Sequence, residues 1–279
     1  MELLIGGILG FMDMEVINAA KELSIRVIRE AGSIAKERFD DFDMIDEKDS
    51  FGDVVTEVDY LIEELILKEI NIIFPQHQIH SEEAGSNNQE SDWLWLIDPL
   101  DGTNNYAIGL SVFAVSITLL YQRRPVLGVV YEPMANRLFV SIAGGKAFCN
   151  DRIIQVKKKQ DIHKGNIGWI QGHKVQNDDR AARLRNHLEL QSKRVLRLWA
   201  PTIQWCMLAK GDIDGIVLYN SEGDDLYSGV LMVKEAGGIV TDFAGNSFNE
   251  MCDEPYLIAC HPEYKDYFLK MVQEGLIEL

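Results

Sequence analysis

Basic residues are scarce in this chain. Its 27 Lys and Arg face 44 Asp and Glu, a net charge of −17 that argues against a surface for nucleic acid or for an anionic membrane. Cysteine is scarcer. Cys149, Cys206, Cys252 and Cys260 form no C-x-x-C pair, and no His stands beside any of them in a recognised pattern. With no secretory signal, four scattered thiols predict a reducing cytoplasm and buried, inert side chains. Long apolar runs are missing too. Residues 3–12 are apolar with three glycines, but the run is too short to span a bilayer, and Glu2 stands where a signal peptide would carry a base. It reads as a packing segment, or as sequence upstream of a start at Met12 or Met14. No repeat, low-complexity stretch or linker divides the 279 residues. One domain, 1–279, with 1–13 as an N-terminal extension, is the expectation.

What is present is concentrated in residues 93–106, W-L-W-L-I-D-P-L-D-G-T-N-N-Y. An apolar strand over 93–97 runs into two carboxylates, Asp98 and Asp101. Asp-Pro and Asp-Gly are turn dipeptides, so both acids are expected on a tight loop at the strand's carboxyl end. Open α/β sheets place ligands there. Two acids on one turn repel each other unless a cation lies between them, and Mg²⁺ takes oxygen ligands of this kind. A surface turn with two solvated acids is the plain alternative. Ser81-Glu82-Glu83 lies upstream, Gly223-Asp224-Asp225 lies far downstream before an apolar helix, and 53–59 reads D-V-V-T-E-V-D.

Together these segments resemble the inositol monophosphatase family of lithium-sensitive, Mg²⁺-dependent phosphatases. The family's first signature is matched by Trp95, Asp98-Pro99-Leu100-Asp101-Gly102-Thr103 and Asn105-Tyr106. Its second is matched in part, by residues 225–229 and Glu235-Ala236-Gly237-Gly238. Order and spacing agree over about 16–261. The resemblance implies a layered α-β-α-β-α sandwich of the sugar-phosphatase type (α/β, α+β), two or three Mg²⁺ ions per site, a homodimer, and a small phosphorylated metabolite as substrate. An acidic protein that binds an anionic phosphate needs such a local cation.

Roles follow by resemblance. Asp98 bridges two ions, with Glu82 and the Leu100 carbonyl completing the first. Asp101 and Asp225 hold the second with Asp98, and they approach the substrate phosphate. Glu83 is a bystander, because the first acid of the family's pair is the ligand. Asp225 is chosen over Asp224 for its ten-residue spacing to Glu235, although a helix-start acid is favoured on its own account. Gly102 and Thr103 should open a short helix whose free N–H groups hold phosphate oxygens. The Thr103 hydroxyl, oriented by Asp59, positions the attacking water with Glu82. Thr56-Glu57-Val58-Asp59 also reads as a helix-capping motif, which alone would explain Asp59. Lys48 and Asp53 match positions at the family's site edge; a solvated loop lysine is the alternative for Lys48. Water attacks phosphorus in line, and no side-chain nucleophile is needed.

Three departures bear on the substrate. Asp224 replaces a Trp. Trp199-Ala200-Pro201-Thr202 replaces a small-residue segment that shapes the family's pocket. The acid that contacts inositol hydroxyls aligns with Leu218 or, if the loop shifts, with Glu222. Inositol monophosphate is the default substrate; histidinol phosphate, a sugar phosphate such as fructose bisphosphate, or adenosine 3′,5′-bisphosphate are alternatives, and a non-catalytic regulatory homologue is the alternative of another class.

Periodicity predicts helices over 16–39 and 58–70, a polar loop over 40–53, then strands over 112–121, 126–131, 138–142 and 153–156 as an antiparallel sheet beneath the helices. Strands over 167–171, 195–198, 216–219 and 256–260 alternate with helices over 177–190, 202–210, 225–236 and 264–274.

Overall fold

The computed structural model describes residues 11–42, 45–48, 52–221 and 223–277. The start of the N-terminal apolar run and Glu222 lie outside the described residues. Helix α1 (Phe11–Glu37) buries Ile17, Ala20, Leu23, Val27, Ile28, Ala31 and Ala35, a stripe at helical spacing. β1 (Ile45–Glu47) lies inside the segment predicted as loop and pairs antiparallel with β2 (Val54–Thr56) just beyond it, which leads into α2 (Glu57–Ile73). Thr56 caps α2 through a capping box with Asp59.

The larger sheet has the order β10-β9-β8-β7-β6-β5-β3-β4. Its strands are β3 (Gln78–Ser81), β4 (Gly85–Ser86), β5 (Trp93–Asp101), β6 (Ala114–Tyr121), β7 (Arg124–Glu132), β8 (Arg137–Ile142), β9 (Ala147–Cys149) and β10 (Arg152–Ile153). Between β5 and β6 lies the short α3 (Thr103–Ala107). β5 and β3 run parallel, and β5 through β10 pair as an antiparallel meander. The smaller sheet has the order β12-β11-β13-β15-β14, from β11 (Asn166–Gln171), β12 (Arg194–Leu196), β13 (Gly215–Tyr219), β14 (Ile239–Asp242) and β15 (Tyr256–Cys260). The remaining helices are α4 (Asp179–Gln191), α5 (Pro201–Lys210), α6 (Leu226–Glu235) and α7 (Lys265–Leu276).

The contacts order these elements into five layers. α1 and α2 cover the outer face of the larger sheet at β5, β6 and β7. α5 and α6 touch both β6 and the smaller sheet, so they fill the middle. α4 and α7 pack on each other and close the far side against β11, β12 and β15. This is the α-β-α-β-α sandwich. Both faces of the larger sheet are covered, which is why β5 to β7 read as apolar runs rather than alternating ones.

Several boundaries differ from the sequence reading. β5 does not stop before Asp98 but continues through Asp101 around a bulge: Asp98 faces Ser116 and Asp101 faces Ala114, so three steps on β5 span two on β6. Pro99, which has no N–H to give a ladder, sits in that irregularity. The strand at 153–156 ends at Ile153 and that at 195–198 ends at Leu196. β9 and β14 were not anticipated, being short and close to turn residues. Cys206 and Cys260 are buried, as expected, but Cys252 is exposed.

Candidate active site

The bulge in β5 turns Asp98 and Asp101 into a cavity of about 700 Å³. Glu82, Leu100, Gly102, Thr103 and Asp225 line the same cavity, as do Asp53 and Asp224. A larger hollow of about 860 Å³ lies elsewhere, among Tyr219, Phe243 and Tyr256, but it gathers no comparable set of carboxylates. Chemistry, not volume, therefore locates the site.

Each acid is held by a different element. Asp98 Oδ1 accepts the Leu100 N–H at 3.0 Å across the bulge. Asp101 Oδ2 accepts the Thr202 N–H at 2.9 Å, at the amino end of α5. Asp225 is the residue from which α6 starts. Asp101 and Asp225 thus sit at the positive ends of two ten-residue helices, which favours their ionised forms. Gly102 precedes α3 with φ 97°, a left-handed conformation open to glycine, and an added Cβ would meet the Val112 carbonyl at 2.9 Å.

Burial nevertheless dominates the electrostatics. It pushes the Asp98 carboxyl well above the usual carboxylate range, and Glu82, Asp101 and Asp225 raise it further. Asp101 is raised in the same way, by burial and then by Asp225. Asp225 is pushed up to about 7 by burial and Glu82. Asp224 is pushed up to about 8 by burial, Glu82 and Asp225, with His80 Nε2 at 3.7 Å from its Oδ2. Acids that raise one another in this way are relieved by a cation among them.

Asp59 serves two elements at once. Its Oδ2 accepts from the Thr56 N–H at 2.8 Å and the Thr56 hydroxyl at 2.6 Å, which caps α2. Thr103 Oγ1 lies 2.9 Å from Asp59 Oδ1 and 2.8 Å from the Leu100 carbonyl, and its single proton can satisfy one of them. Burial raises Asp59 to about 6 against these hydrogen bonds.

Lys48 is not a solvated loop lysine. Its Nζ lies 2.7 Å from Glu82 Oε1 and also pairs with Glu83. Burial opposes its charge, but the two glutamates outweigh burial and raise it. Glu83 therefore has a partner of its own; burial pushes it up to about 7, against Lys48. Asp53 Oδ1 accepts from Asn104 Nδ2 at 3.3 Å. Leu218 lies inside β13, buried in the core, and does not line the cavity.

The sequence reading missed Glu63. It is buried on α2, and its Oε1 accepts from the Ser81 hydroxyl, from Glu83 N–H at 3.0 Å and from Ala84 N–H at 3.1 Å. It thus fixes the turn that carries Glu82. A Glu flanked by Ile62 and Ile66 on an apolar helix face was the available signal.

The donor set suits Mg²⁺: Glu82, Asp98, Asp101 and Asp225 offer carboxylates and Leu100 a backbone carbonyl, all hard oxygens, and all five residues line one cavity. Among the described residues, no group of three or more His, Cys, Asp or Glu side chains is gathered in a geometry that would already hold an ion. The fit is one of donor chemistry and shared placement, not of a closed cage.

Known proteins share the chain's sequence and fold along most of its length. The model of the inositol monophosphatase family matches residues 15–276. A "Nus factor SuhB" of Pasteurella multocida is 33% identical over 266 residues, covering 93% of this chain and 98% of its own. A "fructose-1,6-bisphosphatase/inositol-1-monophosphatase" of Thermotoga maritima is 30% identical over 260 residues, covering 92% and 97%. The solved structure of a Thermotoga maritima IMPase superimposes with a TM-score of 0.83 at 28% identity, over 92% of this chain and 98% of that one.

Proposed function

Since the chain belongs to the inositol monophosphatase family, we propose that it is a Mg²⁺-dependent phosphomonoesterase acting on a small phosphorylated metabolite, with inositol monophosphate as the default substrate. The observation that supports this most is the convergence of Glu82, Asp98, Asp101 and Asp225 from three separate segments on one cavity. Mg²⁺, held by these four and the Leu100 carbonyl, would neutralise the ester's charge and activate water. The chain's own groups do the rest. Gly102 and Thr103 present backbone N–H groups to the phosphate at the start of α3. Asp59, ionised, orients the Thr103 hydroxyl, and Thr103 with Glu82 holds the attacking water. Lys48 limits the negative charge around Glu82.

A second reading, a regulatory protein, is favoured by the relatives named Nus factor SuhB. The complete carboxylate set weighs against loss of catalysis, and the −17 charge weighs against direct nucleic-acid binding. Among the described residues no helix is long and apolar enough to cross a membrane. The proposal extends to a homodimer working in the cytoplasm, on the family resemblance alone. Phosphate release from inositol 1-phosphate, histidinol phosphate, fructose 1,6-bisphosphate and adenosine 3′,5′-bisphosphate, with Mg²⁺ and with chelator, tests it. Release from at least one, lost with chelator, is expected; none from any favours the regulatory reading.

A further inference from the structure

Four of the chain's five tryptophans are shielded to some degree: Trp95, Trp169 and Trp205 fully, Trp93 in part. Trp199 is different. It is 60% exposed, yet it lines the cavity that holds the carboxylates. It also has φ 50°, in the left-handed region. The other described non-glycine residues with positive φ are Asp, Asn, Gln or Arg. Asn and Asp tolerate that region; a bulky aromatic there is an outlier. An outlier of this kind persists only where its surroundings hold it, and such positions concentrate at ligand sites.

Contacts on both sides hold its backbone. Trp199 belongs to the strap between β12 and α5. On one side, the Leu198 carbonyl accepts from Asn105 Nδ2 at 2.6 Å. On the other, the Thr202 N–H donates to Asp101 Oδ2. Between them Ala200 rests on Gly102, where an added Cβ would lie 3.1 Å from Ala200 Cβ. Asn105, Asp101 and Gly102 are all part of the loop proposed to carry metal and phosphate. The backbone that carries Trp199 is therefore tied to the loop proposed to bind phosphate, and its exposed indole lines the same cavity, within which the alcohol half of an ester must lie.

We infer that Trp199 is a specificity residue: a platform on which a ring in the substrate's alcohol part lies flat while its phosphate is at the carboxylate wall. The inference rests on the phosphomonoesterase reading and narrows it to ring-bearing monoesters. An indole face takes the flat apolar side of an aromatic base or of a saturated polyol ring, and a short acyclic alcohol gives it nothing to cover.

Two experiments separate this from its premise. The first compares kcat/KM for adenosine 2′-monophosphate, inositol 1-phosphate and glycerol 2-phosphate in the native protein, Trp199→Phe and Trp199→Ala. Removing a stacking face should lower the ratio of a ring-bearing to the acyclic ester by about tenfold in Trp199→Ala, the scale of base–aromatic stacking. Trp199→Phe should restore most of that ratio. Which ring ester loses selectivity identifies the ring type. The second needs no turnover. Acrylamide quenching of the Trp199 fluorescence, taken as native minus Trp199→Phe, is measured with Mg²⁺, inorganic phosphate and either adenosine, myo-inositol or glycerol. Adenosine or myo-inositol should at least halve the quenching, and glycerol should not. A ratio unmoved by Trp199→Ala overturns the platform even if all rates fall. A Trp199 signal that acrylamide cannot reach, or that no ring protects, overturns it too. Protection by a ring in a protein that hydrolyses none of the esters keeps the platform and removes the phosphatase reading.

Discussion

At the scale of the residue, the site is a problem of crowded negative charge. Asp98, Asp101, Asp224 and Asp225 are all raised by burial and by neighbouring acids, Glu82 among them in every case. Position distinguishes the last two. Asp225 starts α6 and lies beside Asp101 in the electrostatics, whereas Asp224 leans towards the exposed His80. Asp225→Asn should therefore raise the Mg²⁺ concentration needed for half-maximal activity by at least about tenfold, the order of one lost charge-assisted contact. Asp224→Asn should move it far less. Titrating Mg²⁺ against phosphate release in both variants decides the matter; a larger shift in Asp224→Asn would reassign the ligand by one residue.

At the scale of the element, two features set expectations. Glu63 ties α2 to the turn after β3 by three hydrogen bonds. Glu63→Ala leaves two backbone N–H groups and a hydroxyl without their acceptor, and should cost about 2–3 kcal/mol of stability. Because the same turn carries Glu82, it should also raise the Mg²⁺ requirement. Thermal melting and Mg²⁺ titration of one sample read both; a loss of stability at unchanged Mg²⁺ requirement would confine Glu63 to the fold. His77, stacked on Phe74, is the other. Its Nδ1 accepts the Trp95 Nε1–H at 3.0 Å, and burial lowers it from the ordinary 6.5 to about 4. The unfolded chain takes up a proton there before the folded one does. The stability this contributes is present in full above about 6.5 and is lost as pH falls towards about 4. With an allowance for partial screening, it amounts to about 2 kcal/mol. His77→Asn, which keeps an acceptor for Trp95, should flatten the decline in melting temperature over that range; an unchanged slope would place the acid sensitivity elsewhere.

Elements were also where sequence was most and least informative. Strong periodicity made α1 and α2 legible, and apolar runs made β5 to β8 legible, because burial imposes those patterns directly. The β5 bulge was not legible. Asp-Pro and Asp-Gly signal turns, and only pairing with β6 shows that the chain stays in the sheet through Asp101. The capping box at Thr56 was readable because it is local; Asp59's second bond, to Thr103, joins residues 44 apart and was supplied by family resemblance alone. Glu63 and the pairing of Lys48 with Glu83 depend on where side chains meet across elements, which spacing does not encode.

At the scale of the whole molecule, the site exists only because the layers dock. Asp98 and Asp101 come from the larger sheet, and their counterparts Thr202 and Asp225 come from the middle helices. Docking the layers therefore brings buried like charges together, so a divalent cation that binds the folded site should stabilise the entire sandwich by mass action. The most direct measurement is phosphate release from inositol 1-phosphate by native protein and Asp98→Asn, with Mg²⁺ titrated from zero and melting temperature followed on the same samples. Native protein is expected to be inactive without Mg²⁺, to gain activity and melting temperature together as Mg²⁺ rises, and Asp98→Asn to remain folded with neither response. Equal hydrolysis with and without Mg²⁺, or near-native Mg²⁺-dependent turnover by folded Asp98→Asn, would contradict the account.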